Sequence, residues 1–359
     1  IELFDNILGN DQNRVIVISL LIISVLFMCQ KAGTSFLGKT FGPVMLVWFM
    51  FLGITGLVNI PGNLYILKSL NPVYAIKVLF SPYNKAGFMI LGSVFLAATG
   101  AEALYSDMGH VGKENIYSSW PFIKICLILN YLGQGAWILK NKDNPEVIGL
   151  NDFNPFFQML APQLRPFAVI LSTLAAIIAS QALITGSFSL VSEAIRLDLM
   201  PHMQTAYPSQ TKGQLYIPLV NSIMWIGCCT VVLLFRTAAH MEAAYGLSIT
   251  ITMLMTTFLL TVYLSKKKKR IISAIFVGIV FTSIELVFFV SSLGKFFKGG
   301  YFAVIIGVCL FTVMLIWKTG TQVERMQGVP LKMREFVPML GELKNDESVP
   351  QVCENLVYI

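Results

Sequence analysis

Charged side chains are scarce in this chain: Asp, Glu, Lys and Arg make up 13% of its 359 residues, where soluble domains carry about 25%. So few charges cannot cover a water-exposed surface, which excludes a soluble globule. The three histidines are scattered, and the six cysteines show neither CxxC nor metal-ligand spacing. That excludes a zinc centre and a disulfide framework. Cys29, Cys126, Cys228, Cys229 and Cys309 lie in apolar runs and read as small packing residues. No Walker loop, GxGxxG motif or Ser/His/Asp set occurs, so an enzyme is not expected. Strict alternation of polar and apolar residues is missing too, which excludes an outer-membrane barrel. Nor does the chain open on Met or a cleavable signal peptide, and it reads as part of a longer polypeptide.

In place of charge the chain has 55% hydrophobic residues and a mean hydropathy of +0.71. They come in runs of roughly 16 to 25 residues, long enough to cross a hydrocarbon core of ~30 Å. The pattern predicts an all-α polytopic membrane protein with nine spans: Val15–Gln30, Phe41–Ile60, Gly87–Ser106, Trp120–Leu139, Pro166–Arg196, Ile217–Phe235, Ala243–Leu264, Ile271–Leu293 and Tyr301–Trp317. Residues 1–317 then form a transmembrane domain. Residues 318–359 read as a cytoplasmic linker and the start of a truncated domain, with Asn355–Ile359 opening a strand. A net charge of +7 would point to nucleic acid in a soluble protein. Here the basic block Lys266–Arg270, between two apolar runs, invokes the positive-inside rule. It places itself and the C-terminal tail in the cytoplasm, with the lipid bilayer of the cell membrane, not nucleic acid, as partner. Binding of anionic lipid is the second reading of that block.

One stretch breaks the apolar pattern. Phe95 to His110 carries Thr99-Gly100-Ala101-Glu102-Ala103-Leu104-Tyr105-Ser106-Asp107 at the end of a long run. A carboxylate at bilayer depth costs about 2.5–3.5 kcal/mol on insertion scales, so Glu102 needs a compensating partner. Gly100 lets a helix unwind cheaply, and unwound transmembrane helices expose backbone carbonyls that coordinate ions. Thr99 and Glu102 share a helical face, Ser106 continues it and Tyr105 lies beside it. Hydroxyl, carbonyl and carboxylate oxygens replace the water shell of a monovalent cation. Desolvation disfavours a charged Glu102 and a bound cation favours it, which is a physical route to proton coupling. The competing reading is a Glu hydrogen-bonded to a neighbouring helix for packing alone. Asp107 is either a second proton-coupling carboxylate or a solvated helix cap.

Other polar residues sit inside predicted spans. Glu285 reads as a structurally paired carboxylate, because no helix-breaker adjoins it, and Lys124 as a snorkelling anchor. Leu129-Asn130-Tyr131-Leu132-Gly133-Gln134-Gly135-Ala136 reads as interhelical hydrogen bonding between close-packing glycines or as part of an ion path through Tyr131. Ser172, Ala175, Ala176, Ala179 and Ser180 form a small-residue stripe that suits close helix approach. Ser180, Gln181, Thr185 and Ser187 are the polar-path alternative on the same helix.

At these residues the chain resembles the KUP/HAK/KT family of potassium uptake permeases. The resemblance runs in order through Phe41-Gly42-Pro43, Asn71-Pro72, Thr99 to His110, Leu129 to Ala136 and Asn154-Pro155-Phe156-Phe157. It continues through Ala176 to Ala182, Ser192 to Arg196, Gly213 to Pro218 and Ala244-Tyr245-Gly246. It implies the LeuT-like amino acid–polyamine–cation (APC) superfamily fold, two inverted five-helix repeats and two further helices, with the nine spans matching helices four to twelve. It implies proton-coupled potassium symport, potassium held at Thr99 and Glu102 on the broken sixth helix, and Glu102 among the coupling carboxylates. No cofactor is implied beyond the transported potassium ion and proton. A cytosolic C-terminal domain able to form a homodimer is also implied. Family members open with a Gly-Asp-Ile-Gly-Thr-type broken helix and an acidic third helix, and neither occurs in this chain. Two other readings are an amino acid or polyamine permease of the same fold and a transport-inactive truncated fragment.

Overall fold

A computed structural model describes residues 12–30, 35–81, 90–98, 112–144, 154–206 and 215–327, with residues 338 and 341 besides. The described elements are helical. In chain order they are α1 (Gln12–Cys29), α2 (Ser35–Asn59), α3 (Pro72–Leu79), α4 (Ile90–Ala98), α5 (Lys113–Lys140), α6 (Pro155–Gln158), α7 (Arg165–Arg196), α8 (Pro218–Phe235), α9 (Ala238–Val262), α10 (Ile271–Leu293) and α11 (Gly300–Gln327). Among the described residues seven helices are long and apolar enough to cross a membrane, and α1 is a shorter apolar helix. The span predicted over Gly87–Ser106 is described only as α4; the rest of it lies outside the described residues.

Local chemistry accounts for the helix starts. Asn71 accepts a hydrogen bond from Val73 N at 3.0 Å with Pro72 at the first helical position, so the Asn-Pro pair opens α3. Asn154 does the same for α6, accepting from Phe156 N at 3.2 Å. Both are N-caps followed by a residue whose missing N–H costs nothing at that position. At the other end of the chain, α11 runs to Gln327, ten residues past the end predicted at Trp317. Apolar periodicity stops at the membrane boundary, while the helix itself continues. Arg325 near its end pairs with Asp198 at 2.5 Å, beyond the end of α7.

Three packing units hold the bundle. Helices α2 and α5 come closest, through facing glycines. A Cβ on Gly133 would stand 2.5 Å from Gly56 Cα, and one on Gly56 would land on the Leu129 carbonyl. Gly53 meets Cys126 in the same seam, which is the small packing role expected of that cysteine. The second unit joins α1, α7 and α8 around Leu26, Phe27, Ile184, Phe188, Ile217 and Val220. The third is α9, α10 and α11, with α4 docked on α9 and α10. A π-helical turn, Tyr263–Lys267, carries α9 into the exposed Lys266–Arg270 block before α10 begins.

The small-residue stripe predicted on α7 is only partly a packing face. Ala175 is buried, but Ala176, Ala179 and Ser180 are exposed. The buried face follows Ala168, Leu171, Ala175, Ile184 and Phe188 instead. Small and large side chains together line the face of α7 that turns inward. Many outward residues are apolar, and α11 buries only 6% of its most apolar window. In water such a surface would aggregate; against lipid tails it carries no penalty.

Candidate functional site

Thr99, Gly100, Glu102, Tyr105 and Asp107, the predicted cation-binding and proton-coupling residues, lie outside the described residues. The structure does describe the helix that runs into them. Helix α4 is antiparallel to α10 and in close register with it. Gly92 lies against Ser291, its N–H donating to Ser291 Oγ at 3.0 Å. One turn on, the ring of Phe95 stacks on Phe288 with centroids 4.8 Å apart. By the same register Ala98, the last described residue of α4, is level with Glu285. Gly246 of α9 faces Leu96 from the other side, so α4 sits in a groove between α9 and α10. Lys295, beyond the end of α10, reaches Ser93 Oγ at 3.4 Å.

Glu285 is the deepest described carboxylate, 5% exposed. Fourteen residues into α10, it stands about 21 Å from the start of that helix, at 1.5 Å per residue. Its Oε1 accepts a hydrogen bond from Thr257 Oγ1 of α9 at 2.7 Å. Its Oε2 is buried with no partner among the described residues. The structural pairing predicted for this residue is therefore present, through a hydroxyl and to one oxygen only. Thr257 itself is invisible in an apolar run: its hydroxyl matters because of where α10 places Glu285.

On α7, Gln181 is buried and its Oε1 accepts from Gln30 Nε2 at 2.6 Å. Gln30 closes the end of α1, so this bond ties α1 to α7 inside the second packing unit. The residues proposed for a polar path beside it behave differently. Ser180 is exposed and donates to Ala176 O at 2.8 Å, Thr185 to Gln181 O at 3.0 Å and Ser187 to Leu183 O at 2.9 Å, all within their own helix. Tyr131 is exposed, while Asn130 beside it is buried with Oδ1 unpartnered among the described residues. Asn221 of α8 donates to Phe27 O at 3.2 Å, a second link to α1 that its sequence context did not announce. Lys124 is exposed with its ammonium 5.4 Å from the Trp120 ring, as an interfacial anchor should be.

The Gln30–Gln181 bond yields a stability prediction. Gln30→Leu leaves the Gln181 amide buried without its partner and is expected to cost about 1–3 kcal/mol. Adding Gln181→Leu should restore much of the loss, since both polar groups are then gone. Thermal unfolding of the purified protein in detergent, run as a double-mutant cycle, reads this directly. Equal and additive losses from the two substitutions would mean that the bond contributes nothing.

Comparison with known proteins supplies the chemical context. Residues 2–322 match the family model described as the K+ potassium transporter integral membrane domain. A probable potassium transport system protein Kup of Clostridium perfringens is 54% identical over 356 residues, covering 99% of this chain and 54% of the relative. The protein of the same name from Enterococcus faecalis is 54% identical over 351 residues, 98% of this chain and 52% of the relative. That of Latilactobacillus sakei is 51% identical over 357 residues, 99% of this chain and 52% of the relative. The chain thus spans about half the length of the curated relatives it matches. No solved structure matches it. The relatives are named as transport proteins, not enzymes, and the apolar helices make this a multi-pass membrane protein.

Proposed function

The chain belongs to the KUP/HAK/KT potassium transporter family, and on that premise we propose that its protein carries potassium across the cell membrane, coupled to protons. The observation that carries this reading is the match of nearly the whole chain at about half identity to proteins named for potassium transport. The LeuT-like APC fold is part of the proposal. Among the described residues, seven helices long and apolar enough to cross a membrane, together with the shorter apolar helices α1 and α4, support this reading. Helix α4 would then lead into the broken sixth helix. Its seat between α9 and α10 supports this, because a break needs a fixed segment on one side to hold its register.

In the proposed site, Thr99, Gly100, Glu102 and Tyr105 supply hydroxyl, backbone and carboxylate oxygens to potassium. Glu102 holds either the cation or a proton, and Asp107 is the second coupling carboxylate. A cation with its counter-charge crosses the low-dielectric interior at far lower cost than either alone. Tyr131, Ser180 and Gln181 belong to the proposed path, though the amide of Gln181 is committed to Gln30. Exposed Lys266 to Arg270 support a cytoplasmic placement of that loop and of the C-terminus. A homodimer through a cytosolic domain, as the family resemblance implies, completes the proposal.

The test is rubidium uptake by a potassium-auxotrophic host expressing the full-length protein. Restored growth at low potassium, with rubidium uptake that potassium inhibits, is the expected result. Competition by amino acids but not by potassium would overturn it. Thr99→Val removes one ligand oxygen without changing shape and should weaken apparent rubidium affinity by about 1–2 kcal/mol, ~5- to 30-fold. Unchanged uptake kinetics in that variant would count against Thr99 as a ligand.

A further inference from the structure

We propose that Glu285 is a further proton-carrying carboxyl, besides Glu102 and Asp107, whose occupied state sets the docking of α4 between α9 and α10; this rests on the transport reading above. The side chain is 5% exposed, and among the described residues the one hydrogen bond to it comes from Thr257 Oγ1, at 2.7 Å. Oε2 is buried with no partner among the described residues. Among the described residues, an anion so placed would have one hydroxyl donor and no cation. Burying a carboxylate on those terms is far more costly than burying a neutral acid. One proton on the free oxygen is the smallest occupant that removes the charge.

Among the described residues, the elements packed around Glu285 offer no other charge to substitute for it. Helix α10 contains no other ionisable side chain, and α4 contains none. On α9 the ionisable groups are His240, Glu242 and Tyr245; Tyr245 is twelve residues from Thr257, about 18 Å along the helix. Tyr263, Lys266 and Lys267 lie past the far end of α9, Tyr263 six residues from Thr257, and Lys295 is engaged with Ser93. Among the described residues, no charged side chain beside Glu285 compensates a proton gained or lost there. The α4–α10 register, with Gly92 on Ser291 and Phe95 on Phe288, puts the backbone of α4 level with Glu285 at Ala98. From Ala98 to Glu102 is four residues, a reach of at most about 14 Å in any conformation. A charge forced on Glu285 would draw in water or a donor at the α4–α10 seam, and the seam would have to shift.

The experiment separates this role from simple packing. Glu285→Gln keeps the shape and the hydrogen bond from Thr257 but cannot exchange a proton. Expressed in full length, it is expected to fold with a normal melting profile and to retain potassium-inhibited rubidium uptake. It should lose the stimulation of uptake by an inward proton gradient and show a flattened pH profile. Full proton stimulation in Glu285→Gln would overturn the proposal. A second readout does not depend on transport. Infrared difference spectra of the purified protein across a pH step should contain a protonated-carboxyl stretch that Glu285→Gln removes and Thr257→Val shifts. If Glu285→Gln does not fold, the Thr257→Val shift alone decides: a carboxyl band at the same frequency as in the wild type overturns the assignment. Absence of rubidium uptake by the wild type would instead strike the transport reading, leaving the infrared result to judge Glu285.

Discussion

Glu102→Gln is expected to abolish potassium-supported growth of an auxotrophic host and to reduce rubidium uptake by two to three orders of magnitude. The amide matches the carboxylate in shape and still offers a carbonyl oxygen, so the change removes charge and little else. Taking away one member of a buried charge pair costs about 3–5 kcal/mol, or roughly 10²- to 10³-fold in binding. In the proposed site a neutral residue at this position would leave the cation with dipoles alone, and the proton without a titratable acceptor. Glu102→Asp restores the charge about one methylene short and should recover part of the uptake, with altered apparent affinity. Membrane abundance of each variant, measured in parallel, removes differences in folding from the comparison. Growth of Glu102→Gln equal to wild type would end the proposed role of this carboxylate.

The second large effect is structural and concerns the seam between α2 and α5. Gly56→Val and Gly133→Val should each separate α2 from α5 and lower stability by about 3 kcal/mol or more, at the upper end for overpacking. The reason is the nature of the atoms in the way. A Cβ on Gly133 would stand 2.5 Å from Gly56 Cα and carbonyl O, and one on Gly56 would meet the Leu129 backbone. Side chains yield by changing rotamer, but backbone yields only if the whole helix moves. Gly227→Val is the matched control, since a Cβ there meets nothing within 4 Å. Melting followed by intrinsic fluorescence in detergent should show early unfolding for Gly56→Val and Gly133→Val and a near-normal profile for Gly227→Val. Equal stability of all three would mean that the α2–α5 seam is looser than its geometry indicates.

Much of this was legible before any coordinates. Glycines flanking Asn130 and Gln134 already read as points of close helix approach, and Gly133 is one. Cys126 read as a small packing residue and fills the space beside Gly53. Glu285 read as a paired carboxylate, yet nothing in the sequence pointed to Thr257, 28 residues away on another helix. Gln181 read as a candidate path residue, and its partner Gln30 is 151 residues distant. The small-residue stripe on α7 misled, because spacing shows which residues share a face but not which face turns inward.

Hydropathy by itself determined that the protein crosses a membrane and, within a few residues, where most of its helices begin. That property is local: each residue contributes its own transfer free energy, and a run long enough to span lipid needs no knowledge of its neighbours. The ordered motifs, read together, determined the family. Only the tertiary structure decided which buried polar groups meet, that α4 lies antiparallel in a groove of α9 and α10, and that one oxygen of Glu285 has no partner among the described residues. Those facts depend on contacts between segments up to about two hundred residues apart, 199 for Gly92 and Ser291. A backbone N–H bonded to a distant hydroxyl leaves no trace in local periodicity, because in lipid every apolar face is equally content until a partner helix is placed against it.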